Sequence, residues 1–115
     1  MSARRTVAFV ARRWRSAAAL PWLLAALAVG AAPRTHTIVI EGTAFVPARV
    51  VVAPGDRVVW VNRDPFPHTA TAAGHAFDSG SIAPERSWQW VARGAGEYDY
   101  VCALHPTMKA QVIVQ

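Results

Sequence analysis

Hydrophobic and polar residues alternate in short runs along most of the chain, and turn residues separate the runs. Thr37–Glu41 (TIVIE), Ala48–Ala53 (ARVVVA), Arg57–Asn62 (RVVWVN), Arg86–Ala92, Glu97–Cys102 and Lys109–Gln115 read as strands, rich in β-branched and aromatic residues. Gly42, Pro54-Gly55-Asp56, Asp64-Pro65-Phe66-Pro67 and Gly94-Ala95-Gly96 punctuate them. His68–Thr71 reads as a further short strand, and Gly74–Pro84 as irregular. The period of two places Trp88 and Trp90 on one face with Ser87 and Gln89 on the other, and sets Tyr98, Tyr100 and Cys102 on one side. No helical period is sustained. About seven short strands at this spacing predict an all-β domain, an antiparallel sandwich or barrel.

The first 32 residues follow a different pattern. Residues 1–15 are basic, and Ser16–Ala32 (SAAALPWLLAALAVGAA) is uncharged and mostly apolar. A basic head, a short apolar stretch and small residues behind it form the plan of an export signal, with Ala26-Leu27-Ala28 and Ala28-Val29-Gly30 as cleavage frames. The apolar stretch, broken by Pro21, falls short of the ~20 residues of a membrane span, so cleavage is expected over anchoring. The organisation expected is a signal peptide at 1–32 and one folded domain at 33–115. Arg4-Arg5 and Arg12-Arg13 leave both general and twin-arginine export open.

This division changes what the charge means. Twelve Lys and Arg against seven Asp and Glu give +5, which taken alone suggests an acidic partner. Arg4, Arg5, Arg12, Arg13 and Arg15 all lie in the leader, and the remainder is balanced. A nucleic-acid partner therefore has no electrostatic support.

The domain holds one cysteine, Cys102, so it has no internal disulfide. A lone thiol in an oxidising compartment is a liability unless something occupies it, and a metal would both protect it and staple a small fold. Cys102-Ala-Leu-His105-Pro-Thr-Met108 offers a thiolate, an imidazole and a thioether at spacings of three, on a tight loop expected between a strand ending at Cys102 and one starting at Lys109. Such spacing on a curved loop lets three side chains converge. Soft sulfur plus imidazole suits copper, and a second imidazole would complete a trigonal site with a long axial sulfur. His68, after a loop stiffened by Pro65 and Pro67, is the best supplier. The competing reading makes Cys102 a buried small hydrophobe and Met108 core filler. By composition, a His at +3 and a Met at +6 from a given Cys arise by chance about once in 1,600, which favours the metal.

Glu97–Gln115 (EYDYVCALHPTMKAQVIVQ), with PGDRVVWVNRDPFPHTAT at Pro54–Thr71, resembles the type 1 blue copper proteins of the amicyanin and plastocyanin kind. The resemblance covers most of residues 37–115, and its Cys-x2-His-x2-Met loop is of amicyanin length. It implies a cupredoxin-type antiparallel or mixed Greek-key β-sandwich of about seven to eight strands. It implies one type 1 copper ion held by His68, Cys102, His105 and Met108. It also implies that Asn62 ties the first histidine loop to the cysteine loop, while Thr69 departs from the Asn that commonly follows the first His.

The function expected is periplasmic electron transfer by a soluble exported copper protein, a monomer meeting redox protein partners through an apolar collar of Ala103, Leu104, Pro106, Phe66 and Pro67 around His105. Membrane contact is expected only if the leader stays uncleaved. The alternative is a periplasmic protein that binds and delivers copper. An enzyme is not expected: a second copper or open position needs more histidine than His36 and His75 supply. His36 is read as exposed on an N-terminal tail, His75 as a surface residue, and Trp60, Trp88 and Trp90 as packing residues.

Overall fold

A computed structural model describes residues 31–115 together with Ala3 and Ala8. The expected signal segment lies outside the described residues apart from these two and its last pair, Ala31 and Ala32. Among the described residues no helix is long and apolar enough to cross a membrane.

Among the described residues, eight strands form two four-stranded sheets. One sheet has the order β2 (Phe45–Val46), β1 (Thr35–Ile40), β4 (Arg57–Asn62), β6 (Ser87–Val91). The other has β3 (Arg49–Val52), β8 (His105–Val114), β7 (Gly96–Cys102), β5 (Thr71–Ala72). β1 pairs with β4 and β3 with β8 in parallel, while the remaining pairs are antiparallel. The expected all-β sandwich, with mixed sheets, is what the described residues form.

Alternation decides which side of each strand is buried. On β4, Val58, Trp60 and Asn62 point inward. On β7, Tyr100 and Cys102 are buried and Tyr98 half-buried, while Glu97 and Asp99 face out. Trp88 and Trp90 pack against the core, with Ser87 and Gln89 exposed. Trp60 is fully buried at the centre, edge-on to Tyr100 at 5.5 Å and tilted against Phe77 at 5.2 Å and Trp88 at 5.5 Å. These aromatic contacts bridge the sheets, in keeping with the packing role expected.

Turn chemistry sets the end away from the cysteine. Pro54 supplies the fixed φ and Gly55 the positive φ (92°) of the turn between β3 and β4, closed by Asp56 N–H to Ala53 O at 3.0 Å. Asp56 then accepts the N–H groups of Arg34 and Ala53, each at 2.9 Å, and its Oδ2 lies 2.9 Å from His36 Nε2. His36 is thus half-buried within β1, not on a free tail, because β1 begins two residues earlier than the hydropathy pattern suggested. His75 is exposed, as read.

Two further expectations shift. The short strand read at His68–Thr71 is displaced to Thr71–Ala72, with His68 making only a single bridge to Ile82. The last strand starts at His105 rather than Lys109. Cys102 pairs with His105 around a two-residue turn, Ala103-Leu104, yet the next pair is Val101 with Lys109. Pro106, Thr107 and Met108 therefore bulge from the ladder, which is where a proline can sit in a strand.

Candidate metal centre

That bulge builds half of the site. β7 delivers Cys102 to the sandwich interior, fully buried, and the two-residue turn brings His105 back opposite it. Met108 is buried in the same bulge. The other half comes from the segment after β4, where backbone bonds between His68 and Ile82 in both directions (3.2 and 2.7 Å) fix His68. Its side chain is fully buried.

Cys102 Sγ lies 3.6 Å from His68 Nδ1 and 3.8 Å from His105 Nδ1. All three donor atoms are within 4.8 Å of one another, the one such group of His, Cys, Asp or Glu among the described residues. Bonds of ~2.3 Å to sulfur and ~2.0 Å to nitrogen, at tetrahedral to trigonal angles, separate two donor atoms by roughly 3.5–3.7 Å. The two sulfur–nitrogen distances are close to those of ligands around one ion. The set of one thiolate, two imidazoles and an adjacent thioether is the donor chemistry of copper. Residues expected from the sequence, His68, Cys102 and His105, are thus brought together, with Met108 beside them in the chain.

Asp64 orients the ring of His68. Asp64 Oδ2 lies 2.7 Å from His68 Nε2 and accepts Thr43 N–H at 2.9 Å, while Oδ1 accepts Gly42 N–H at 2.7 Å. Burial pushes this carboxyl upward, but the Thr43 amide, the His68 ring and the Gly42 amide outweigh it and hold the acid below its ordinary value. A carboxylate only accepts, so His68 donates from Nε2 and turns its Nδ1 toward Cys102. Nothing in the sequence reading singled out Asp64; its place four residues before His68, in a Pro-rich loop, was the available signal.

The tie between the two ligand loops differs from the expectation. Asn62 is fully buried, but its Nδ2 donates to Phe66 O and Ile82 O and its Oδ1 accepts Asp64 N–H, all at 2.9 Å. It shapes the first histidine loop and makes no bond to the cysteine loop. Thr69 makes that tie instead. Its N–H donates to Cys102 Sγ at 3.3 Å, and its Oγ1 accepts Ala103 N–H at 2.8 Å. The Thr that departs from the common Asn is short enough to meet the backbone of Ala103 directly.

Around the rings, Phe66 lies 5.1 Å from His68 and 5.8 Å from His105, centroid to centroid. Phe66 (40% exposed) and Leu104 (55%) are exposed apolar side chains flanking half-buried His105.

Comparison with known proteins agrees with this architecture. A family model described as a cupredoxin-like domain matches residues 15–114. The chain is 30% identical over 81 residues to amicyanin of Paracoccus versutus, covering 66% of this chain and 61% of that one. It is 36% identical over 69 residues to amicyanin of Paracoccus denitrificans, covering 56% and 53%. The matches thus span little more than half the length of these two relatives. A solved structure of a reduced amicyanin variant superposes with a TM-score of 0.67 at 26% identity, over 78% of this chain and 89% of that one. By fold, by family model and by the arrangement of its thiolate and imidazoles, the chain belongs to the cupredoxin-like domain family.

Proposed function

We propose that this chain is an exported blue copper electron carrier whose single copper ion would be held by His68, Cys102 and His105, with Met108 as a weak further ligand. The observation that carries the reading is the approach of both Nδ1 atoms to one buried cysteine sulfur at 3.6 and 3.8 Å. Copper, when bound, supplies the one-electron Cu(I)/Cu(II) couple. The chain's own residues do the rest. Asp64 fixes the ring of His68, the Thr69 amide faces the sulfur, and the bulge after His105 fixes the second imidazole. Ligands held this way from two loops move little when charge changes. Burial of His68, Cys102 and Met108 keeps water from the site, and half-buried His105 gives electrons a way out.

The exposed pair Phe66 and Leu104 around His105 supports a small apolar contact with redox protein partners, of the kind that forms and dissociates quickly. The basic and apolar leader at residues 1–32 supports export to the periplasm, with residues 33–115 as the working domain. The role is carriage rather than turnover of a substrate. Delivery of copper, the competing role, needs an ion that leaves easily, and the burial of three of the four candidate ligands argues against it. Voltammetry of the copper-loaded protein separates the two. Repeated oxidation and reduction without loss of copper is expected, and release of the ion on reduction would favour delivery.

A further inference from the structure

The tie at Thr69 does not end at Thr69. Its Oγ1 lies 2.9 Å from Thr71 Oγ1, and Thr71 Oγ1 lies 3.1 Å from Asp78 Oδ1. The proton order along this row follows from chemistry. A carboxylate only accepts, so the Thr71 hydroxyl donates to Asp78. The Thr71 oxygen is then free to accept from the Thr69 hydroxyl. Thr69 Oγ1 in turn presents its lone pair to Ala103 N–H, the amide directly after the cysteine. Four groups thus run in one sense, from the backbone beside Cys102 to an exposed carboxylate.

We propose that Asp78, acting through Thr71 and Thr69, is a remote positioning residue for the cysteine loop, locking the hydroxyl order that holds the Thr69 rotamer whose Oγ1 faces Ala103 N–H. The backbone supports the row along its length. Thr71 bridges Asp78 and pairs with Val101, the residue before Cys102. Asp78 Oδ1 also accepts Gly80 N–H at 3.0 Å, and Ser79 Oγ accepts Ala70 N–H at 2.7 Å, which seats the Asp78–Gly80 turn beside the threonines. Without the terminal acceptor, the Thr71 hydroxyl can turn back and donate to Thr69. Thr69 then loses the partner for its own proton, so its oxygen can still accept from Ala103 N–H but nothing fixes the rotamer that aims it there. The register that places Thr69 N–H at 3.3 Å from Cys102 Sγ relaxes with it. A hydrogen bond to the sulfur tunes its donation to a metal, so the consequence for reduction potential rests on the copper reading above. The consequence for the Ala103 amide does not.

The test is hydrogen exchange at the Ala103 amide of the copper(I) protein, with the reduction potential measured on the same samples. Thr71→Val removes the middle hydroxyl at nearly constant shape, Asp78→Ala removes the terminal acceptor, and Thr71→Ser restores the hydroxyl. Asp99→Ala, a surface carboxylate bonded to Gln111, controls for charge alone. Asp78→Ala and Thr71→Val are expected to speed Ala103 exchange about ten-fold, the worth of one hydrogen bond. Both should move the potential in the same direction, and Thr71→Ser and Asp99→Ala should match the wild type. Three results would overturn the proposal: no change in Thr71→Val; an effect of Asp78→Ala alone, which would assign it to the Asp78–Gly80 turn; or equal acceleration at core amides such as Ile38 and Val58, which would mean global destabilisation. If the chain binds no copper, the copper reading fails, while Ala103 exchange in the same variants still decides whether the row exists.

Discussion

Asp64 Oδ2 sits 2.7 Å from His68 Nε2, both buried, and this contact turns the other ring nitrogen of His68 toward the sulfur of Cys102. Replacing Asp64 with Asn keeps the shape but leaves one acceptor oxygen where His68, Thr43 and Gly42 use two. Copper affinity, measured by competition with a chelator, is expected to fall about 10- to 100-fold, as for other partners of metal-bound histidine. Unchanged affinity would mean the ring is held by packing alone.

Asp56 anchors the opposite end of the sandwich, and its acid strength gives a pH dependence. The amides of Arg34 and Ala53, followed by the His36 side chain, lower its pKa from 3.8 to about 2. The folded value is the lower one, so the group stabilises the fold above pH 3.8, and this is lost as pH falls toward 2. Asn resembles the protonated acid. The melting temperature of Asp56→Asn is therefore expected below that of the wild type at pH 6, with the gap closing between pH 4 and 2. A gap independent of pH would rule out the carboxylate charge as its source.

Leu104 stands 55% exposed in the two-residue turn between Cys102 and His105. Leu104→Lys is expected to slow electron self-exchange by about ten-fold or more through like-charge repulsion between copies. The visible spectrum should not move, because Leu104 supplies no ligand. An unchanged rate would place electron exit on another surface.

Copper bound to the folded state alone adds stability by mass action, about 4 kcal/mol at 1,000 times the dissociation constant. For a domain this small, that is on the order of 20 °C in melting temperature. Calorimetry of the copper-loaded and copper-depleted protein checks it, and equal melting would contradict a preformed specific site.

How much was legible beforehand follows from the range of each interaction. Strand β4 was read with its bounds intact, Arg57–Asn62, because Val58, Trp60 and Asn62 alternate cleanly with outward positions. The convergence of Cys102, His105 and His68 was legible because spacing within one short loop restricts where side chains can go. The start of β8 at His105 was not, since a proline next to it reads as a break and only pairing with Cys102 overrides that. The tie between the loops was misassigned to Asn62. Which of two polar side chains reaches Ala103 depends on a backbone path set by His68 and Ile82, twenty and more residues from the cysteine. The partners of Asp64 lie about twenty residues upstream at Gly42 and Thr43, and no local pattern announces them.

The most direct test of the central claim is the visible absorption spectrum of residues 33–115 after Cu(II) addition and ferricyanide oxidation. An intense blue band from the Cys102 thiolate is expected, bleached on reduction and absent in Cys102→Ser. A pale spectrum that Cys102→Ser leaves unchanged would contradict a copper site built on Cys102, His68 and His105.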